Sequence, residues 1–319
     1  MTNTPHATPV PNIAHLPLPL LALPMGFGGL GLAWRQAAVS LGVPAMVGEA
    51  LLALTALVWL VVVGAQALRA VVAPAALAAE LSHPVRAAFA AAPTIGLMII
   101  AAAIWPYSPT IGGGLWCVAV PLHLIVAMLL LRRVIGGKAE AAMLAPPLMI
   151  PFVGNILAPA LGARMGFLDA SWMMFGVGFF LWLAVLPLLL HRFFAGPKLP
   201  PALFPSVAIL LAPPAVGALA LVALTGSTGG PSLALAGLAV LIAAVLLSLV
   251  GDFAKLPFSL VWWSFTFPAA AFAAMLMVEG FPAILGWFFL SIATAICGWC
   301  AYKTALAALH GAFLRPENH

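Results

Sequence analysis

The chain has 319 residues, of which 65% are hydrophobic and only 6% charged, against roughly 25% charged in an ordinary soluble domain. So few charges cannot coat a water-facing surface of this size, which excludes a soluble globular protein. The net charge of +5 resides in short connecting loops and calls for no nucleic-acid partner.

Residues 1–14 are short, polar and proline-containing, without the basic start of a cleaved signal peptide, and are expected to form a cytoplasmic tail. Ten apolar stretches follow, at 15–34, 46–67, 87–106, 114–131, 147–163, 171–190, 202–224, 232–250, 259–278 and 282–307. About 20 apolar residues cross a hydrocarbon core about 30 Å thick. The stretches are continuously apolar rather than alternating, which argues against an outer-membrane barrel. The expected fold is therefore an all-α polytopic membrane protein, with 15–308 as one ten-helix domain and 309–319 as a second cytoplasmic tail.

Within that series the odd stretches share a pattern. They contain "LALPMGFGGLG", "AAAPTIGLMII", "LMIPFVGNILAPALG", "LAPPAVGALAL" and "FTFPAAAFAAM". Aligning Pro24, Pro93, Pro151, Pro214 and Pro268 gives separations of 69, 58, 63 and 54 residues. Each proline is followed by small residues: Gly26 and Gly28, Gly96, Gly154, Gly217 and Ala271. This reads as five copies of one two-helix hairpin with quasi-fivefold symmetry. Proline removes a backbone donor and bends a helix. Carbonyls freed in this way are tolerated where protein or a water-filled cavity surrounds them, not in lipid. The kinked helices are thus expected to form an inner ring around a narrow pore, lined by these prolines, Pro213 and the small residues. Scattered prolines and glycines are also common in membrane helices generally, but the regular spacing on alternate stretches favours the ring.

The even stretches carry fewer signals. Glu49 lies near the start of the second, and His123 lies well inside the fourth, where it is expected to pack by hydrogen bonding rather than relay protons. No acid falls at mid-depth of an odd stretch. Thr94 and Asn155 are placed either to touch a solute or to satisfy carbonyls freed by the prolines. Cys297 and Cys300, a C-x-x-C within the last helix, read as packing residues rather than a redox or metal pair. No metal or cofactor site is expected, and the absence of a polar catalytic cluster argues against an enzyme.

Ten of the twelve Lys and Arg fall on one side if both termini are cytoplasmic, and only Arg35 and Arg164 on the other. The positive-inside rule then puts both termini in the cytoplasm. A path without acids disfavours cations. Phe267, just before Pro268, sits about halfway along the ninth stretch. It either packs between helices or blocks the bore as a hydrophobic gate. Trp262, Trp263 and Phe265 are expected to pack sideways, with the tryptophans toward the interface.

Five segments, "PMGFGGLGLAW", "HPVRAAFAAAPTIGLM", "PPLMIPFVGNILAP", "LFPSVAILLAPPAVG" and "FSLVWWSFTFP", carry a resemblance. They span nearly the whole chain in order. Together they resemble the tellurite-resistance/dicarboxylate transporter family, which shares its fold with plant slow-type guard-cell anion channels and yeast malic acid transporters. The resemblance implies five hairpins around a pore, a homotrimer with one pore per subunit, and anion conduction gated at Phe267. Expected partners are small anions (chloride, nitrate or dicarboxylates) and the lipid of the inner, or plasma, membrane. The alternative is a secondary, proton-coupled C4-dicarboxylate or tellurite-related transporter.

Overall fold

The computed structural model describes residues 12–315. Residues 1–11 and 316–319 of the two expected tails lie outside the described residues. Every regular element among the described residues is helical.

Twelve α-helices follow one another: α1 Ala22–Ser40, α2 Met46–Val72, α3 Pro74–Ser82, α4 Ala92–Ile104, α5 Pro109–Ile135, α6 Met149–Gly162, α7 Leu168–Ala195, α8 Ala212–Thr225, α9 Gly230–Ser248, α10 Val250–Phe253, α11 Thr266–Val278 and α12 Ala283–Leu309. Nine helical segments among the described residues are long and apolar enough to cross a membrane. The first expected span, residues 15–34, falls short of that standard. Its helix α1 is rich in glycine and carries Arg35 and Gln36 in its last two turns.

Burial alternates along the chain. The segments Arg86–Ile104, Pro146–Met165, Pro201–Thr225 and Leu260–Val278 are 61 to 83% buried, whereas the apolar helices between them are 17 to 33% buried. A helix that is apolar all round yet mostly uncovered matches lipid on its outer side. Contacts order the covered helices into a closed circuit: α1 packs on α4, α4 on α6, α6 on α8, α8 on α11, and α11 back on α1. The helices α2, α5, α7, α9 and α12 each pack on the preceding circuit member and lie outside it. The backbone N–H of Asn12 donates to the Leu314 carbonyl at 2.7 Å, so both described ends meet on one face, here the terminal face.

The aligned prolines lie at a change of helix type rather than in the interior of an α-helix. Each circuit segment begins as a 3₁₀-helix, at Leu18–Leu21, Arg86–Ala91, Pro146–Leu148, Pro201–Leu211 and Leu260–Phe265, and continues as α-helix. Pro24, Pro93, Pro151, Pro213, Pro214 and Pro268 all lie in the first turn after that change. An α-helix's first turn needs no N–H from proline, so the residue is accommodated without a lost ladder bond. Side chains cover carbonyls around the junctions. The hydroxyls of Thr94, Ser206 and Thr266 donate to Ala91, Leu203 and Trp263 at 2.6–2.7 Å. The Asn155 amide donates to Pro151 and Phe152 at 3.1 and 3.0 Å.

A buried ionic cluster anchors the start of the circuit. Glu80 lies on α3, the short helix that connects α2 to the next span and opens with Pro74 at its first position. Its carboxylate accepts from Arg69 Nη1 at 2.6 Å and from the Leu18 backbone N–H at 2.9 Å. Arg69 Nε and Gln66 Nε2 reach the carbonyls of Ala14, Leu16 and Pro17. The cluster thereby fixes the 3₁₀ segment that leads into α1.

Trp263 departs from expectation. It is fully buried rather than at the interface, its indole N–H donates to Thr304 Oγ1 at 2.9 Å, and its ring meets Phe27 edge-on at 5.1 Å. Tryptophan's N–H takes a partner when buried, and α12 supplies one here. Trp262 does lie at a more open position, stacked on Phe265 at 5.5 Å.

Candidate functional site

The circuit of five helices encloses two cavities in line. The first, about 50 Å³, lies in the half nearer the terminal face and takes walls from all five members, through Met25, Ile95, Val153, Val216 and Phe267 among others. The second, about 220 Å³, is walled by α1, α6, α8 and α11 and extends to Val39, Leu161 and Val278 near the C-terminal ends of α1, α6 and α11. Three side chains wall both cavities: Leu157 on α6, Val216 on α8 and Phe267 on α11. Each is buried, with Phe267 8% exposed. The partition is therefore one aromatic ring and two aliphatic groups, with no polar atom among the three side chains.

Phe267 is positioned from behind by a glycine. A Cβ placed on Gly29 of α1 would stand 2.7 Å from Phe267 Cδ2 and 3.4 Å from its Cα. The ring thus lies directly against the bare backbone of α1, an approach that only glycine permits. Thr266, beside it, is held by its bond to the Trp263 carbonyl.

Neither cavity has an acidic side chain in its wall. The first has a polar lining group in Ser264, whose buried hydroxyl has no hydrogen-bond partner. The second has Arg35, Gln36 and Arg164. Small or apolar groups form the remainder.

Of the residues expected to line a bore, Gly154, Phe267 and Pro268 wall the first cavity, and Phe267 and Ala271 the second. The other glycines are placed for helix contact. A Cβ on Gly26 would collide with Thr266 and Trp263, on Gly28 with Ile99 of α4 and Thr55 of α2, on Gly96 with Trp59 of α2, and on Gly217 with Leu235 of α9. Pro24, Pro93, Thr94, Pro151, Asn155, Pro213, Pro214 and these four glycines are absent from both walls. Thr94 and Asn155 satisfy carbonyls, the second of the two roles open to them from sequence.

His123 reaches inward from α5 and is fully buried. Its Nδ1 shares a 2.7 Å hydrogen bond with the Thr94 hydroxyl. Its Nε2 has no partner, and its ring abuts Gly154, where a Cβ would come within 2.5 Å of it. Cys297 and Cys300 are both free and buried in α12, and no group of three or more metal-ligating side chains occurs among the described residues. Leu157, Val216 and Gly29 were not distinguished by sequence: two are ordinary aliphatics, and the third is one of several glycines in "GFGGLG".

Comparison with known proteins places the chain. It is 28% identical over 211 residues to the guard cell S-type anion channel SLAC1 of Arabidopsis thaliana, covering 64% of this chain and 38% of that protein. It is 25% identical over 266 residues to the S-type anion channel SLAH3 of the same plant, covering 81% and 42%. An uncharacterized transporter of Methanocaldococcus jannaschii is 26% identical over 241 residues, covering 65% and 68%. The chain thus spans about two fifths of the length of the plant relatives. Residues 15–305 match the family model described as voltage-dependent anion channel, and this multi-pass membrane protein belongs to that SLAC1 family.

Proposed function

We propose that the chain is an anion channel whose path follows the axis of the helix circuit and is closed at Phe267. The observation that carries the reading is the shared wall of Leu157, Val216 and Phe267 between two otherwise acid-free cavities. An anion crossing that partition must shed water against three apolar side chains, the condition under which a hydrophobic constriction blocks conduction. The benzyl group of Phe267 is the largest of the three side chains, so a change of its χ1 rotamer would open the partition most. Quasi-fivefold hairpins, which the circuit of contacts supports, would make that axis the pore. The permeant species are small anions such as chloride, nitrate or dicarboxylates, a reading the family's description supports. Selectivity is weak, because dehydration and width rather than a tight site select the ion.

The basic loops favour a cytoplasmic terminal face, in the cell's inner, or plasma, membrane. The resemblance also favours a homotrimer with one pore in each subunit. Planar-bilayer recording tests the gate: Phe267→Ala raises anion current strongly over wild type, and an unchanged current from folded protein removes the assignment.

A coupled dicarboxylate transporter is the second reading, favoured by one observation. His123 Nε2, buried and unpartnered beside Gly154, is a titratable atom against the wall of the first cavity. Stoichiometric proton movement with saturable dicarboxylate uptake in proteoliposomes selects that reading. An ohmic anion current without proton movement selects the channel.

A further inference from the structure

The two arginines of the second cavity are held differently. Arg35 is fully engaged. Its Nε and Nη2 donate to the Glu49 carboxylate at 2.8 and 2.6 Å, and its Nη1 and Nη2 to the carbonyls of Ala102 and Ala103 at 2.9 and 3.1 Å. Arg164 lies in the single 3₁₀ turn Ala163–Met165 that follows α6. Among the described residues its guanidinium has neither a hydrogen-bond acceptor nor an ion-pair partner. Gln36, the other polar group in the wall, donates to Ser40 at 2.9 Å.

The acids of this face do not compensate Arg164. Glu49 is bound to Arg35. Asp169, in the first turn of α7, is exposed. Glu279, just after α11, has both carboxylate oxygens without a partner. None of these acids is part of the cavity wall. A cavity with Phe267 at its inner end therefore presents one solvent-exposed guanidinium that has no protein partner among the described residues.

We infer that Arg164 forms an anion-capture site at the mouth of the second cavity, binding a small anion of the nitrate or carboxylate class before it meets the apolar partition. The inference rests on the reading of the circuit axis as an anion path. A guanidinium is weakly hydrated and offers paired N–H groups in one plane, which match two oxygens of a planar oxyanion. A halide accepts from the same donors without that match. One cation, open to water on one side, attracts anions and still releases them, as conduction requires. The site is also distinct from Arg35, whose charge Glu49 already offsets.

The test uses the Phe267→Ala protein in planar bilayers as the conducting parent, and adds Arg164→Gln or Arg164→Lys. At about 0.01 M salt, where the screening length is about 30 Å, Arg164→Gln lowers anion current entering from the Arg164 side by about tenfold. The difference vanishes near 1 M, where the length is about 3 Å. Arg164→Lys keeps the chloride current but loses preference for nitrate over chloride, because an ammonium lacks the planar fork. If Arg164→Gln does not fold, Arg164→Cys in a Cys117→Ser parent serves instead. A positively charged methanethiosulfonate restores low-salt current to it and a negatively charged one does not. Equal low-salt currents for Arg and Gln, or equal action of the two reagents, overturn the inference alone. A Phe267→Ala parent that passes no current overturns both this inference and the conduction path.

Discussion

Replacing Gly29 by alanine alters the partition without touching Phe267 itself. The added Cβ would lie 2.7 Å from Phe267 Cδ2, whereas carbon atoms in good contact stand about 3.5–4.0 Å apart. The overlap is about 1 Å. The Phe267 backbone gives little relief, since its Cα would already be 3.4 Å from the same Cβ. Leu157 and Val216 border the same two cavities and occupy the other side of the partition. Overpacking of this kind costs about 1–3 kcal/mol. That cost falls on the closed arrangement and not on one in which the ring has left α1. A bias of this size raises the ratio of open to closed by about 5- to 150-fold. Gly29→Ala therefore conducts anions in planar bilayers where the wild type is nearly silent. In the Phe267→Ala protein the same substitution has no further effect, because its partner is gone. Current no higher than wild type from folded Gly29→Ala protein, or an effect that persists without Phe267, refutes the reasoning.

Two further predictions concern stability, read as thermal unfolding midpoints of detergent-purified protein. Glu80→Ala strands Arg69, which is 4% exposed, and frees the Leu18 N–H; breaking a buried pair from one side costs about 3–5 kcal/mol, so the midpoint drops sharply, and an unchanged midpoint would show that water replaces the carboxylate. Thr304→Val leaves the indole N–H of fully buried Trp263 without its acceptor and costs about 1–3 kcal/mol; a neutral result contradicts the role given to that bond.

The architecture was legible because proline is conspicuous and its spacing is regular. The five aligned prolines mark the five covered segments, and the alternation of covered and uncovered helices follows from them. The local geometry was not legible. A 3₁₀ and an α turn share nearly the same apolar pattern, so nothing in "AAAPTIGLMII" distinguishes a kink from a change of helix type at Ala92. Nor does a glycine announce which neighbour approaches it. Gly26, Gly28, Gly96 and Gly217 were read as facing a bore, but each admits a side chain from an adjacent helix. Gly29, next to Gly28, is the one against Phe267. The difference of one position is about 100° around a helix at 3.6 residues per turn, and only the packing of α11 on α1 sets that rotation. Phe267 stood out because an aromatic precedes the proline in a run of small residues. Leu157 and Val216 hold no comparable register to their prolines. Arg164 was legible as one of two cations on the face away from the termini, whereas its lack of a partner depends on where α2 and α7 place Glu49 and Asp169.

The central claim is that a single benzyl group closes an otherwise continuous anion path. Its most direct test is the chloride current of Phe267→Ala beside wild type in the same bilayer, with cation current measured by reversal potential under a salt gradient. The account predicts a large, anion-selective current in the variant and almost none in the wild type. Equal currents from the two folded proteins, or a current carried by cations, contradict it.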